Sequence, residues 1–266
     1  MTTRKYELTT EKTKHEGRTL YRIRALRDFE DVKMGDLGGF VECEINLSHS
    51  GDCWIYDDSK VIGRSKIVGC SKVKGKSIVE NSTVYNSTVE ESVVMDYSIV
   101  ENSIVKNYSI VESSNVTDSS IVMNKSKVTG GSMVMNKSTV MDYSAVKSSI
   151  VDNSTVKNYS IVENSIVDNS TVDGRNIRAK KTRINNAKID SNSKYITVAR
   201  IGSRNDTLTA YRCANGEIGV ATGCFTGNID EFVEAVKDKH KDNKYAKQYL
   251  AAINLIKLAL NPGIKQ

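Results

Sequence analysis

Aliphatic residues recur every five or six positions through the middle of the chain, from Ile55 and Val61 to Val172 and Ile177. Serine usually stands two positions before each of them, and asparagine or glycine often stands two positions after. A helix would need apolar residues three and four positions apart, and a free-standing strand would need a longer alternation. Short strands with serine and valine pointing inwards, joined by tight polar corners, satisfy this spacing. The pattern therefore predicts a β-solenoid.

The six-residue intervals indicate how many sides each coil has. When the repeats are counted in threes from Val79, four such intervals fall at the same corner of successive coils. They are residues 105–111, 122–128, 140–146 and 156–162. The additional residue at this corner is Tyr108, Lys125, Tyr143 or Tyr159 in turn, so the three tyrosines are expected to stack along one edge. A three-sided solenoid of about eight coils follows, on the order of 35–40 Å long at the strand spacing.

The residue between serine and valine is predicted to point outwards, which gives three outward columns. The first column contains Thr83, Ile99, Asn115, Met133, Ile150 and Ile166. The second contains Ile78, Val93, Ile110, Lys127, Ala145 and Ile161, and the third contains Thr88, Ile104, Ile121, Thr139, Thr155 and Thr171. The aliphatic members of the first two columns form the candidate interface, because soluble monomers seldom expose so large an apolar patch. We expect it to serve self-association, with a trimer as the expected form, or docking of another protein.

Segments of different character flank the repeat. Residues 1–50 are predicted to form an N-terminal β cap, and residues 51–192 the solenoid. Residues 193–266 are predicted to form a small α+β domain with a β-hairpin around Asn215 and Gly216 and two helices. Asn228 has the properties of the N-cap of the first helix, since Asp230 and Glu231 follow in its first turn. The fold class is mainly β.

The formal net charge of +6 is unevenly distributed. Residues 59–76 carry six Lys or Arg and no acid, residues 77–173 carry six Lys against twelve acids, and residues 174–190 are basic again. Candidate phosphate-binding residues in the two basic bands are Lys66, Lys72, Lys74, Arg175, Arg178, Lys180, Lys181 and Arg183. The acidic middle and the lack of interleaved aromatic residues disfavour duplex nucleic acid as a partner.

The five cysteines are scattered and odd in number, which favours reduced thiols and a cytoplasmic location over a disulfide or metal framework. The N-terminal residues lack the apolar segment of a secretory signal, and no apolar run is long enough to span a membrane. No motif indicates a cofactor or a metal. The acids of the repeat are expected at solvated corners.

The repeat S-x-V-x-x-x resembles the hexapeptide repeat of left-handed β-helix proteins. Residues 21–48, with the sequence YRIRALRDFEDVKMGDLGGFVECEINLS, resemble the opening segment of phage and prophage proteins in which such repeats follow directly. The resemblance implies a left-handed winding and a phage protein made in the bacterial cytoplasm. The five-residue intervals depart from the hexapeptide pattern, as does glycine two positions after the aliphatic residue.

Some proteins with the hexapeptide repeat are acyltransferases that use a histidine as general base. The histidines of this chain, His15, His49 and His240, all lie outside the repeat, which disfavours that activity. We therefore expect a non-enzymatic protein that sequesters or blocks a host factor, for example a component of anti-phage defence. The alternatives are an oligomeric sponge for a signalling nucleotide and a structural or fibre protein of the virion.

Overall fold

The computed structural model describes residues 4–174, 177–180, 182–190, 194–213 and 215–260. The chain opens with an antiparallel hairpin of β1 (Tyr6–His15) and β2 (Arg18–Ala25). Strand β2 also pairs antiparallel with β3 (Leu37–Val41), and a 3-10 turn follows at Glu44–Asn46.

Short parallel strands then make up the solenoid. In chain order they are β4 (Trp54–Ile55), β5 (Lys60–Ile62), β6 (Lys66–Val68), β7 (Lys72–Lys74), β8 (Ile78–Glu80), β9 (Thr83–Tyr85), β10 (Thr88–Glu90), β11 (Val93–Met95), β12 (Ile99–Glu101), β13 (Ile104–Lys106), β14 (Ile110–Glu112), β15 (Asn115–Val116), β16 (Ile121–Val122), β17 (Lys127–Thr129), β18 (Met133–Met135), β19 (Thr139–Val140), β20 (Ala145–Lys147), β21 (Ile150–Asp152), β22 (Thr155–Lys157), β23 (Ile161–Glu163), β24 (Ile166–Asp168), β25 (Thr171–Asp173), β26 (Arg178–Lys180), β27 (Arg183–Asn185) and β28 (Lys188–Ile189).

Each solenoid strand pairs in parallel with the third strand after it, which confirms three sides per coil. The first face runs from β6 to β27 and carries the first column, and the second face runs from β3 to β26 and carries the second. The third face runs from β4 to β28 and has nine strands, so the solenoid has about nine turns. The parallel pairing begins at Phe40 and Val41, ahead of the predicted boundary at residue 51.

Valine fills the interior because its branched side chain stacks on the equivalent valine of the next coil. Every repeat valine from Val73 to Val172 is fully buried. The last repeat position is different from the predicted one: Val162 pairs with Ala179, and Ile177 occupies the place that serine takes elsewhere. Val172 and Ala179 are seven positions apart, where earlier repeats have five or six, and the register shifts accordingly.

The serines form hydrogen-bonded ladders along the corners. The Ser98 N–H donates to Oγ of Ser82 (3.1 Å), and Ser98 Oγ accepts from the N–H of Ser114 (3.1 Å) and donates to the Met95 carbonyl (2.6 Å). The hydroxyl thus satisfies backbone groups that the short strands leave unpaired, and a buried polar residue is tolerated at each coil.

The N-terminal segment closes one end of the solenoid. Trp54 is fully buried, with its ring 5.4 Å from Phe29 and 6.4 Å from Tyr6 between centroids. Lys5 is also fully buried, and its Nζ donates to the Cys53 carbonyl (2.7 Å) and lies 3.2 Å from Cys53 Sγ. Burial lowers the pKa of Lys5 and raises the pKa of the Cys53 thiol.

The C-terminal domain is an antiparallel sheet with two helices. Its strands are β29 (Tyr195–Ile201), β30 (Asp206–Arg212), β31 (Ile218–Thr222) and β32 (Phe225–Asn228), and its helices are α1 (Ile229–His240) and α2 (Lys244–Leu260). The Asn228 side chain accepts hydrogen bonds from the N–H groups of Asp230 and Glu231, which confirms the predicted N-cap. Within the described part of the chain, neither helix is long and apolar enough to cross a membrane.

This domain attaches to the last coil at all three faces. Tyr195 Oη lies 3.2 Å from the N–H of Arg178 on β26, and Tyr211 Oη accepts from the N–H of Asn185 on β27 (3.1 Å). Ala187 forms an antiparallel bridge with Cys213 next to β28. The exposed edge of a parallel solenoid is thereby covered, as edge strands require.

Candidate functional site

The strand register confirms the three outward columns. Ile99 pairs with Asn115 on the first face, and Ile110 pairs with Lys127 on the second. The side chains of Ile99 and Met133 are 39% exposed. The remaining aliphatic members, Ile78, Val93, Ile110, Ile150, Ile161 and Ile166, are half-buried, because each stacks against its neighbours one strand away.

The two candidate faces have different surroundings. A groove of about 820 Å³ runs between the C-terminal half of the first face and the C-terminal domain. Met133, Ile150 and Ile166 line it from the first column, and Phe225 and Thr226 line it from β32. Ile99 lies beyond the groove on the same face. The predicted interface is therefore divided into a part that lines this open groove and a part that lies outside it.

Side chains of opposite charge lie on the two walls of the groove. Arg183 continues the first column beyond Ile166 and lines the groove, and Asp206 lines it from the start of β30. A ligand in the groove would meet the aliphatic side chains of the first column, several Ser and Thr residues, and opposite charges contributed by the two walls. The sequence could not show this arrangement, because nothing in the repeat indicates which face the C-terminal domain covers.

On the second face, Val93 and Ile110 line a separate groove of about 690 Å³ together with Tyr108, and no described residue of the C-terminal domain contributes to it. Ile78, at its other end, packs against Leu20, Phe40 and Ile62, so the N-terminal hairpin covers part of the column there. The open central stretch contains Lys127 and Ala145 between the isoleucines. The surface around Val93 and Ile110 is concave, and its lining is at least as apolar as that of the groove beside the C-terminal domain.

The predicted tyrosine edge is only partly formed. Tyr143 and Tyr159 stack, whereas Lys125 occupies the coil between Tyr108 and Tyr143 and places its Nζ 5.3 Å from the centre of the Tyr143 ring. The expectation that all three tyrosines stack was therefore wrong, since equivalent residues contact only when they are one coil apart. Beneath the rings, Asn124 accepts from Asn107 (3.0 Å) and donates to Asp142 (2.8 Å).

Several of the candidate phosphate-binding residues are already paired with acids. Lys72 Nζ lies 3.0 Å from Glu30, whose hydrogen bond raises the pKa of the amine. Lys74 pairs with Glu90 (3.2 Å) and Lys180 with Glu163 (3.4 Å). These ion pairs reduce the positive charge that is available to a phosphate.

The other basic residues are distributed between opposite ends. Lys66 begins the first column and Arg183 ends it, which separates them by on the order of 34 Å at the strand spacing. Arg178 ends the second column. Arg175 and Lys181 lie outside the described residues. Within one chain, the two basic bands cannot enclose a single phosphate.

The histidines lie outside the repeat, as the sequence shows. His49 is held in the N-terminal cap, where Nδ1 accepts from the Lys5 N–H (3.2 Å) and Nε2 lies 3.1 Å from Glu44. Within the ranges that the structure describes, His, Cys, Asp and Glu form no group that could hold a metal ion. Comparison with protein-family models and with curated proteins gives no match.

Proposed function

We propose that this protein acts by binding and that it captures a segment of a partner polypeptide in the groove between the first face and the C-terminal domain. The observation that supports the proposal is the placement of Met133, Ile150 and Ile166 opposite Phe225 in one open groove. Ligand-binding sites are usually concave and lined mainly by apolar side chains.

The dimensions of the groove favour a polypeptide segment over a flat protein surface. Its volume of about 820 Å³ lies within the roughly 300–1,000 Å³ of typical ligand sites. A straight column of side chains at regular spacing suits an extended chain, whose alternate side chains can enter such a groove. Arg183 and Asp206 would fix the direction of that chain through opposite charges.

The resemblance to phage proteins supplies the biological setting of the proposal. A host protein is then the partner, and sequestering or blocking it is the effect, in keeping with a role against host defence. A rigid solenoid suits this task, because a preorganised groove loses little conformational entropy when it binds. No catalytic step is required of any residue in the groove.

Self-association through the second face is a second candidate, because Val93, Ile110 and Ile161 form its uncovered column. A trimer formed in this way would leave the groove accessible. The nucleotide-sponge alternative gains no support from the positions of Lys72 and Lys74, since acids already neutralise them.

The proposal is tested by capture of proteins from host lysate with matched variants. Ile150→Asp with Ile166→Asp alters the groove wall, and Ile110→Asp with Ile161→Asp alters equivalent half-buried positions on the second face. We expect the groove variant to lose the captured protein and the second-face variant to keep it. Cross-linking followed by mass spectrometry should place the captured protein beside Phe225.

Two outcomes would contradict the proposal. If the groove variant retains the same proteins as the wild type, the groove is not the binding surface. If only the second-face variant loses them, binding occurs on the other face. Circular dichroism and thermal unfolding of both variants show that any loss is not due to misfolding, and light scattering of the wild type tests the trimer.

A further inference from the structure

The C-terminal domain contains a pocket of its own, separate from the solenoid. It has a volume of about 230 Å³ and lies between the small sheet and the two helices. Its lining includes the aromatic residues Phe225, Phe232 and Tyr249. This pocket shares Asp206, Thr222, Gly223 and Phe225 with the groove, but residues of both helices line the pocket and none of them lines the groove.

Aromatic rings form one continuous wall. Phe225 and Phe232 lie 5.0 Å apart between ring centroids, and Phe232 meets Tyr249 edge-on at 5.4 Å. The centroid of the His240 ring lies 5.6 Å from that of the Tyr249 ring. Rings at these distances and angles offer both a face and an edge to a further aromatic ring.

Two positively charged side chains line the pocket. They belong to Arg204 and Lys239, and the carboxylate of Asp206 lines it as well. In the part of the chain that the structure describes, neither Arg204 nor Lys239 forms an ion pair. Exposed cations beside an apolar pocket favour an anion that the pocket partly removes from water.

Two glycine turns shape this pocket. Gly202 has a φ of +73°, and a Cβ at this position would lie 1.8 Å from Tyr249 Oη. Gly223 has a φ of +54°, a left-handed conformation that glycine adopts without strain. The absence of a side chain at Gly202 allows Tyr249 to reach the turn.

We propose that this pocket binds a small aromatic anion. The aromatic ring of the ligand lies against Phe225, Phe232 and Tyr249, and its carboxylate or phosphate lies between Arg204 and Lys239. The volume of about 230 Å³ is below the roughly 300–1,000 Å³ of drug-sized sites, so one ring with a short anionic substituent fits better than a dinucleotide. This inference does not depend on the groove.

Cys224 provides a direct reporter of occupancy, because it is exposed and lines the pocket. Cys70 is exposed on a corner of the solenoid and serves as the internal control. The experiment measures the rate at which iodoacetamide, an uncharged reagent, alkylates each thiol, by mass spectrometry of the peptides. Phenyl phosphate and phenylacetate are the probes, and benzyl alcohol and inorganic phosphate supply the ring and the charge separately.

We expect the anionic aromatic probes to slow alkylation of Cys224 but not of Cys70, with dissociation constants of about 1 mM or tighter for ligands of this size. Stronger protection by phenyl phosphate would assign a phosphate ligand, and stronger protection by phenylacetate a carboxylate. Arg204→Gln and Lys239→Gln should each weaken protection about tenfold. Lys247→Gln, at an exposed position of α2 outside the pocket, should leave it unchanged.

The proposal is overturned if neither anionic probe protects Cys224 at about 20 mM, well above the expected dissociation constant. Equal protection by benzyl alcohol would remove the role of charge, and equal protection by inorganic phosphate would remove the role of the ring. Unchanged protection in both Arg204→Gln and Lys239→Gln would likewise contradict it. A failure of these probes leaves the lysate result for the groove unaffected, because that experiment alters residues of the solenoid.

Discussion

The ring of Tyr143 lies flat against the ring of Tyr159, with centroids 4.9 Å apart and an interplanar angle of 4°. The separation matches the spacing of adjacent strands, so the stack is a direct result of the parallel register. Lys125 extends the stack by one coil through its contact with Tyr143. The edge therefore contributes to stability between coils as well as forming part of the surface.

Tyr143→Ala should lower the free energy of unfolding by about 1 kcal/mol more than Tyr97→Ala does, since it removes both the stacking and the cation contact. Tyr97 is a matched control because it occupies a corner with the same φ of 62° and is 74% exposed. Urea denaturation of the two variants measures the difference. Equal losses of unfolding free energy would mean that the stacked rings add no more stability than an unstacked tyrosine at a corner.

The stability of Ser→Ala variants should distinguish hydroxyls that form hydrogen bonds from hydroxyls that form none. Ser138 Oγ donates to the Met135 carbonyl and accepts from the N–H of Ser154, so Ser138→Ala should cost about 1–3 kcal/mol. Ser126 and Ser144 are buried, and their hydroxyls have no hydrogen-bond partner among the described residues. Ser126→Ala should be neutral or stabilising. Thermal unfolding of both variants provides the comparison, and a larger loss for Ser126→Ala would be the contrary result.

Asparagine at the corners has two separable roles. The side chain of Asn102 makes no hydrogen bond to the described residues, and its φ is 48°. Asn102→Gly should therefore be nearly neutral, whereas Asn102→Ala should cost about 1 kcal/mol because alanine disfavours the left-handed conformation.

Asn124 shows the second role, because its side chain bonds to both Asn107 and Asp142. Asn124→Gly keeps the backbone conformation but removes the two amide contacts, and it should cost about 1 kcal/mol. Denaturant midpoints of the Asn102→Gly and Asn124→Gly variants test the distinction. If the two midpoints coincide, the amide ladder adds no stability.

Alkaline pH should destabilise the folded chain through its buried tyrosines. Burial raises the pKa of Tyr6, Tyr211 and Tyr249 above the ordinary value of 10.0. Above that pH the unfolded chain binds fewer protons than the folded chain, so stability falls as pH rises. Each group contributes up to about 1.4 kcal/mol per pH unit within its window.

Lys5 changes the free energy of unfolding with the opposite sign, because burial lowers the pKa of its amine. Its contribution to stability increases with pH only up to the ordinary pKa of 10.5. Denaturation at several pH values above about 10.5 therefore removes the Lys5 contribution, while the raised pKa of the Cys53 thiol adds to the decline with the same sign as the tyrosines. Tyr211→Phe should give a shallower decline than the wild type. A stability that does not change over this range would show that these phenols titrate normally in the folded chain.

The repeat was predictable because each coil repeats the same local rule. The six-residue interval between Val105 and Val111 recurs at one corner of successive coils, which indicates three sides per coil. The pairing of Ile99 with Asn115 follows from that number. The exception at Ile177 shows where local reasoning fails, since an aliphatic residue can take the serine place when a corner lengthens.

The groove and the pocket were not predictable, since their walls come from distant parts of the sequence. Ile166 and Phe225 share the groove although nothing in their local sequences relates them. The ion pair of Lys72 with Glu30 likewise depends on how the N-terminal segment folds back over the third face. Periodicity predicts contacts between equivalent coils but not contacts between different structural units.

The closure of both ends has a consequence for how the length of the molecule is determined. The hairpin covers one end and the C-terminal domain attaches to the other, while the strands of the middle coils pair only with the coils on either side. Duplication or loss of one coil would move the two ends by about 4.8 Å and leave both intact. The solenoid is thus a molecular ruler, in which the number of repeats sets the distance between two independent modules.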